Sequence, residues 1–303
     1  MIPSAGMLQK ETLKGKTIVV TAGGDGLGLS MSRYFLKLGA SVVITSRNFK
    51  KLYIAAAQLT KETDGHCLPL ACDIRDYHQV EVMLKKSIEK LGKVDVLVNN
   101  AATNIFFPTE KLCFSTFDNI IDTTLKGSKN CTLAFGKHWI NSRQTNASVL
   151  NMISTYALTG SAYVTASAMA KAGVLAMTRS LAVEWAKYGI RSNAIALGAF
   201  SSEDALRQFI PKELSEKFDA TEKIPLRRMA THQELCDLTA FMISDYASFL
   251  NGEVITIDGG AWLQGAGQFN AMENIPPQIW ERLGDSSSEN KSVTPNHIFR
   301  QLF

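Results

Sequence analysis

Lys16-Thr17-Ile18-Val19-Val20-Thr21-Ala22-Gly23-Gly24-Asp25-Gly26-Leu27-Gly28 is the stretch on which the fold turns. Lys16 to Thr21 is a short, largely β-branched run and reads as a strand. It ends in glycines, after which Leu27 to Leu38 has helical spacing until Gly39 stops it. A strand, a glycine turn and a helix in that order let the backbone approach an anion closely. The helix then offers it free N–H groups and the positive end of its dipole. Thr21, Gly23, Gly24, Asp25, Gly26, Leu27 and Gly28 are therefore candidates for holding the pyrophosphate of a dinucleotide. A tight turn without a ligand would use the same glycines, so the choice rests on the remainder of the chain.

Working outward, apolar runs and helical patterns alternate with a regular beat. The runs are Ser41 to Thr45, Cys67 to Cys72, Val94 to Asn99, Ala147 to Ser154, Arg191 to Leu197 and Glu253 to Ile257. Helical patterns lie between them at about 49–62, 77–91, 115–139, 163–188 and 233–244. Strands made of continuous apolar residues are buried on both faces, which requires a parallel sheet with helices on either side. Right-handed crossovers make it doubly wound. The expected fold is thus α/β, a three-layer doubly wound parallel sheet of about seven strands. No repeat or linker divides it, so one domain is expected over 1–262, with a C-terminal extension over 263–303. Within that extension, 286–296 is rich in Ser and Asn and reads as a mobile tail.

Composition agrees with that class. Of the 303 residues 46% are hydrophobic and 20% charged, with 21 Gly and 8 Pro, which excludes a disordered or fibrous chain. The net charge of +4 is too small to indicate nucleic acid and does not oppose an anionic substrate. Five cysteines without regular spacing suit a reducing compartment, with Cys131 and Cys236 as core residues. No targeting or spanning segment is evident, and the last residues, Gln301-Leu302-Phe303, are not a peroxisomal tripeptide. A cytoplasmic protein is expected. The five histidines lack metal-ligand spacing, so no metal is expected.

After the second run comes Ser46-Arg47 rather than an acid. An acid there would meet the ribose 2′-hydroxyl of NAD. A serine and an arginine suit the 2′-phosphate of NADP(H), although Arg47 also reads as a solvated surface residue.

The set formed by the glycine turn, Cys72-Asp73-Ile74, Asn99-Asn100-Ala101-Ala102, Lys171 and Asp258-Gly259-Gly260 resembles the short-chain dehydrogenase/reductase family over residues 13 to about 262. The resemblance implies a Rossmann-type domain, a nicotinamide cofactor and a homo-oligomer, usually a tetramer or dimer, with the tetramer favoured. It also implies that Asp73, with Ile74, contacts the adenine, that Asn99 and Ala101 support the cofactor site, that Gly198 lies in the loop near the nicotinamide, and that Lys171 holds the nicotinamide ribose.

Departures from the family pattern narrow the reading. Most members have a serine at the end of the fifth strand, a tyrosine thirteen residues on and a lysine four beyond that. Ser154 and Lys171 fill two of those positions, and Ser167 stands where the tyrosine should be. Thr124 replaces an asparagine of the preceding helix. Ala22 stands where the first glycine is usual, tolerable if its φ is negative. Leu197 replaces a proline before Gly198, which would loosen the loop there.

One branch, the 2,4-dienoyl-CoA reductases, resembles this arrangement, with a tyrosine fifteen residues before the lysine and an asparagine shortly after the fourth strand. Tyr156 and Asn104 match those positions. The resemblance implies an NADPH-dependent reduction of a conjugated acyl-CoA to a 3-enoyl-CoA. Charge developing on the thioester oxygen needs hydrogen-bond donors in a dry site, and Tyr156 and Asn104 would supply them. Ser167, one helical turn before Lys171, would bond the carbonyl or a water. Tyr163 rivals Tyr156, although it reads as opening the helix and packing there. Asn104 also reads as a turn residue, and Ser154 as a strand-end hydroxyl. A lid for the acyl chain is expected over 200–230, where Phe200, Leu206, Phe209 and Phe218 mix with Arg207, Lys212, Arg227 and Arg228. The small residues from Tyr163 to Lys187 point to a helix buried between the sheet and a second subunit. A 2-enoyl or 3-oxoacyl thioester reductase and a non-catalytic NADP(H)-binding protein are the alternatives.

Overall fold

The computed structural model describes residues 8–200 and 221–281. Seven parallel strands form one sheet in the order β3-β2-β1-β4-β5-β6-β7. They are β1 (Thr17–Thr21), β2 (Ser41–Ser46), β3 (Cys67–Ala71), β4 (Val96–Asn99), β5 (Ala147–Ser154), β6 (Ile190–Leu197) and β7 (Val254–Ile257). The alternation read from the sequence is therefore the doubly wound sheet it implies. Strand order reverses between β1 and β4, where Ile18 pairs with Val42 on one side and Val96 on the other. The crevice outside the carboxyl ends of those two strands is the natural ligand position of such a sheet.

Two-residue strand periodicity decides which side chain enters which layer. Ile18 and Val20 pack with Met31 and Phe35 of α1 (Gly26–Lys37) and with Leu235 of α8 (His232–Ile243). Val19 points the other way, into a cluster with Leu84 of α3 (Tyr77–Leu91) and with Phe135 and Trp139 of α5 (Gly127–Asn141). Helix α2 (Phe49–Thr63) covers the first layer, and α7 (Thr165–Glu184) packs against β5 and β6 in a third cluster with Ile153, Val174 and Ala196. Cys131 and Cys236 are buried, as expected of core residues.

Three local expectations are corrected. The pattern over 115–139 is not one α-helix: α4 (Phe114–Ile121) passes through a π-helical turn, Asp122–Lys126, into α5. The helix expected from residue 163 begins at Thr165, because Tyr163 adopts a left-handed φ of 65°. Tyr163 is also 60% exposed rather than packed. Finally, Ala22 has a φ of 51°, not the negative value expected. It is an alanine in the region that glycine occupies at least cost.

The chain divides among the described residues into two compact units, one running to Ala261 and the other from Trp262. A short helix, α9 (Ala261–Ala266), begins at that boundary, and a 3-10 turn, Asn270–Asn274, lies beyond it. Most of the expected lid, residues 201–220, and the tail at 286–296 lie outside the described residues. The flanks of the lid segment meet: Phe200 bridges to Ala230, and Ala230 N–H donates to the Ala199 carbonyl (3.1 Å).

Candidate active site

The carboxyl ends of β1 and β4 are stitched by side chains. The Thr21 hydroxyl accepts from the N–H groups of Asn100 and Ala101 (both 2.9 Å). In return, the Asn100 amide donates to the carbonyls of Thr21 (3.0 Å) and Ala22 (3.4 Å). A Cβ on Gly28 would run into the Ala22 carbonyl and the Asn100 amide, so α1 approaches the strand ends this closely only with glycine there. No Cβ neighbour lies over Gly26 (φ 50°), which leaves open space above the turn. Asp25 caps α1, its carboxylate accepting from Gly26 N–H (2.7 Å). The turn is thus built to let a pyrophosphate lie against backbone, which fits a dinucleotide. Asn100 holds it together, and the sequence reading gave Asn100 no role. The available signal was that consecutive residues at a strand end face opposite ways.

Asn99 faces the interior. It is 3% exposed and donates to Thr132 and to Asn151 (both 2.8 Å), while Asn151 donates to Thr178 (2.9 Å). This buried ladder ties α5, β4, β5 and α7 together beneath the site.

At the far end, Ser46 closes β2 half-buried and Arg47 stands exposed beyond it. The Asp73 carboxylate is gripped by Arg75 through Nε (2.9 and 3.0 Å) and Nη2 (2.5 Å). That grip, with a smaller contribution from Arg47, holds its pKa below the usual carboxylate range. Asp73 thus faces Arg75 before any adenine. Ile74 is buried, and its carbonyl accepts from Asn130 (2.9 Å).

The catalytic candidates converge at the ends of β5 and α7. Tyr156 opens a single helical turn, α6 (Tyr156–Thr159), and its hydroxyl lies 3.0 Å from the Ser167 hydroxyl. Ser167 is only 1% exposed. One turn further, Lys171 is buried with its ammonium donating to the Met152 carbonyl, and burial pushes its pKa down to about 8. Ser154 ends β5 half-buried, in register with Leu197. Leu197 is an integral strand residue rather than a loosened one: it pairs with Ile257, and its carbonyl accepts from Thr155 (3.3 Å). Next to it, a Cβ on Gly198 would overlap Asp258, so glycine is what lets the Asp258 loop close in. Tyr163 contributes only its backbone carbonyl, which accepts from Phe107 N–H (2.9 Å).

Asn104 is half-buried, and its side-chain oxygen accepts from Ile105 N–H (2.9 Å). That bond orients the amide so that its NH2 group is the end left to donate. Ile105, Phe106, Phe107 and Tyr163 leave apolar surface exposed on the two loops that the Phe107–Tyr163 bond joins, and Leu158 of α6 adds to it.

The arrangement has counterparts among known proteins. Residues 21–261 match the family model described as enoyl-(acyl carrier protein) reductase. A Caenorhabditis elegans protein named probable 2,4-dienoyl-CoA reductase 3, (3E)-enoyl-CoA-producing, is 41% identical over 84% of this chain and 82% of its own. A Bacillus subtilis protein named probable 2,4-dienoyl-CoA reductase, (2E)-enoyl-CoA-producing, is 37% identical over 83% of this chain and 98% of its own. A Bacillus anthracis crystal structure described as a short chain dehydrogenase superposes with a TM-score of 0.74 at 38% identity, covering 82% of this chain and 98% of that one. With its glycine turn, its buried lysine and matches of that extent, the chain belongs to the short-chain dehydrogenase/reductase family of oxidoreductases.

Proposed function

We propose that the protein is an NADPH-dependent 2,4-dienoyl-CoA reductase yielding a 3-enoyl-CoA. The observation that carries this is the Tyr156–Ser167 pair. The position of the usual tyrosine holds a buried serine, and that serine bonds a tyrosine arriving from the end of β5.

The nicotinamide cofactor, when bound, supplies the hydride. Reduction at C5, the far end of the conjugated system, leaves negative charge on the thioester oxygen as a dienolate. The Tyr156 hydroxyl and the Asn104 NH2 group would donate to that oxygen, while the Ser167 hydroxyl donates to the phenol oxygen and aims it. Lys171, when protonated, stabilises negative charge nearby in a site where burial weakens screening. A proton added at C2 leaves the remaining double bond at C3. Added at C4, it would leave the bond at C2, the outcome named for the B. subtilis relative. The exposed apolar residues Ile105, Phe106 and Leu158 suit the acyl chain.

Exposed Arg47 beside Ser46 favours the 2′-phosphate of NADP(H) over NAD. A homo-oligomer fits the outer stripe of α7, where Met169 and Val183 are 54% and 81% exposed beside Ala172 and Ala176. Five free cysteines suit a reducing cytoplasm, and no described helix is long and apolar enough to cross a membrane.

The test is cofactor oxidation, with NADPH and with NADH, on a 2,4-dienoyl-CoA, a 2-enoyl-CoA and a 3-oxoacyl-CoA. Turnover of the dienoyl substrate with NADPH is expected, and Tyr156→Phe should lower kcat by about a hundredfold, as removal of an oxyanion donor does. Undiminished activity in Tyr156→Phe would sink the assignment. Turnover of 3-oxoacyl-CoA alone would replace it with carbonyl reduction.

A further inference from the structure

We propose that Thr124, presented by the π-helical turn Asp122–Lys126, is a positioning residue that sets the Asn104 donor. This rests on the reading of Asn104 as a donor to the thioester oxygen.

Thr124 is 1% exposed, and its hydroxyl does two jobs on one neighbour. It accepts from Thr103 N–H (3.2 Å) and donates to the Thr103 carbonyl (3.3 Å). A single side chain therefore satisfies both backbone groups of the residue immediately before Asn104. The β4 ladder has ended at Asn99, so these backbone groups need partners from elsewhere. Asn104 is then oriented from behind by Thr124 and from ahead by its own bond to Ile105 N–H (2.9 Å).

The π-turn explains how a helix residue reaches that loop. Gly127 N–H returns five residues, to the Asp122 carbonyl, and the extra residue in the turn re-aims the side chains beyond it. The re-aimed residues diverge. Thr124 meets Thr103, and Leu125 fills the space over Gly173 of α7, where a Cβ would lie 2.8 Å from Leu125 Cδ1. Gly127 admits Ile74, whose Cδ1 would lie 2.5 Å from a Cβ there. Gly173 stands two residues past Lys171. The turn and Gly127 directly after it thus touch the helix carrying Ser167 and Lys171, the loop carrying Asn104, and the segment carrying Asp73 and Ile74. Of Thr124, Leu125 and Gly127, Thr124 alone bonds the residue next to Asn104, which gives it a role separable from packing.

Thr124→Val keeps the shape and removes both bonds. On 2,4-dienoyl-CoA it should lower kcat about tenfold, the scale of a small misplacement of a reacting group, with NADPH affinity unchanged and a modest fall in melting temperature from the two lost bonds. Thr124→Ser keeps the hydroxyl and should recover most of the rate. Because Thr124 acts through Asn104, adding Thr124→Val to Asn104→Ala should lower kcat no further than Asn104→Ala alone. If Asn104→Ala has no effect, the donor reading fails and this proposal with it. If Asn104→Ala is severe while Thr124→Val is silent, or fully multiplicative in the double mutant, only the positioning role is overturned. Should Thr124→Val not fold, Thr124→Ala in the same cycle decides in the same way.

Discussion

Ser167 and Tyr156 are eleven residues apart and share a hydrogen bond, and Lys171 lies one turn beyond Ser167 with burial as the largest influence on it. Burial disfavours the charged lysine in the folded state. Between about 8 and the ordinary 10.5, the unfolded chain holds a proton that the folded chain has released. Stability contributed at this site therefore rises with pH through that window, and is lowest below it, where a buried ammonium persists. Unfolding free energies of wild type and Lys171→Met, followed from neutral pH upward, should show wild type gaining on the variant. A constant difference would mean that Lys171 titrates normally. The resemblance to the 2,4-dienoyl-CoA reductases brought Tyr156, Ser167 and Lys171 forward as candidates. The same resemblance favoured Tyr156 over Tyr163. The structure adds a left-handed backbone at Tyr163, which leaves that residue 60% exposed before α7 begins.

Among the elements, α8 has the most explicit local code. Thr231 and Glu234 form a capping box: Glu234 N–H donates to the Thr231 hydroxyl (3.3 Å), and Thr231 N–H to the Glu234 carboxylate (2.8 Å). Arg228 holds the Glu234 carboxyl down to about 2. Its contribution is therefore complete above the ordinary carboxylate range and is lost as pH falls through that range toward 2. Thr231→Ala should cost about 1 kcal/mol, read from denaturant midpoints, and a cost near zero would mean that the cap does not stabilise α8. The cap follows directly on Ala230, which pairs with Ala199 and Phe200. The π-turn is the contrary case. Asp122-Thr123-Thr124-Leu125-Lys126 carries no proline or glycine to announce an interruption, so periodicity reads straight through it. The bulge exists because Leu125, Thr124 and Gly127 each have a partner on a different neighbour.

For the whole molecule, the outer stripe of α7 is the feature that points beyond a single chain. Met169, Ala172, Ala176 and Val183 are exposed along one line of that helix, while its other side is buried in the third core cluster. If that stripe joins subunits, wild type should scatter light as a multimer, and Val183→Glu should shift it to a smaller species. A wild-type monomer at assay concentration would discard the oligomer.

The fold was legible in the sequence because its determinants are local or periodic. Apolar runs too continuous for a half-solvated sheet must be buried on both faces, and a glycine turn between strand and helix needs no distant partner to take its shape. Tertiary structure alone decided which side chains meet. Tyr156 reaches Ser167, Asn100 braces the glycine turn, Lys171 loses its water, and Thr124 crosses to Thr103. Each of these depends on how separate strand ends and helices converge in space, a property that no window of sequence contains.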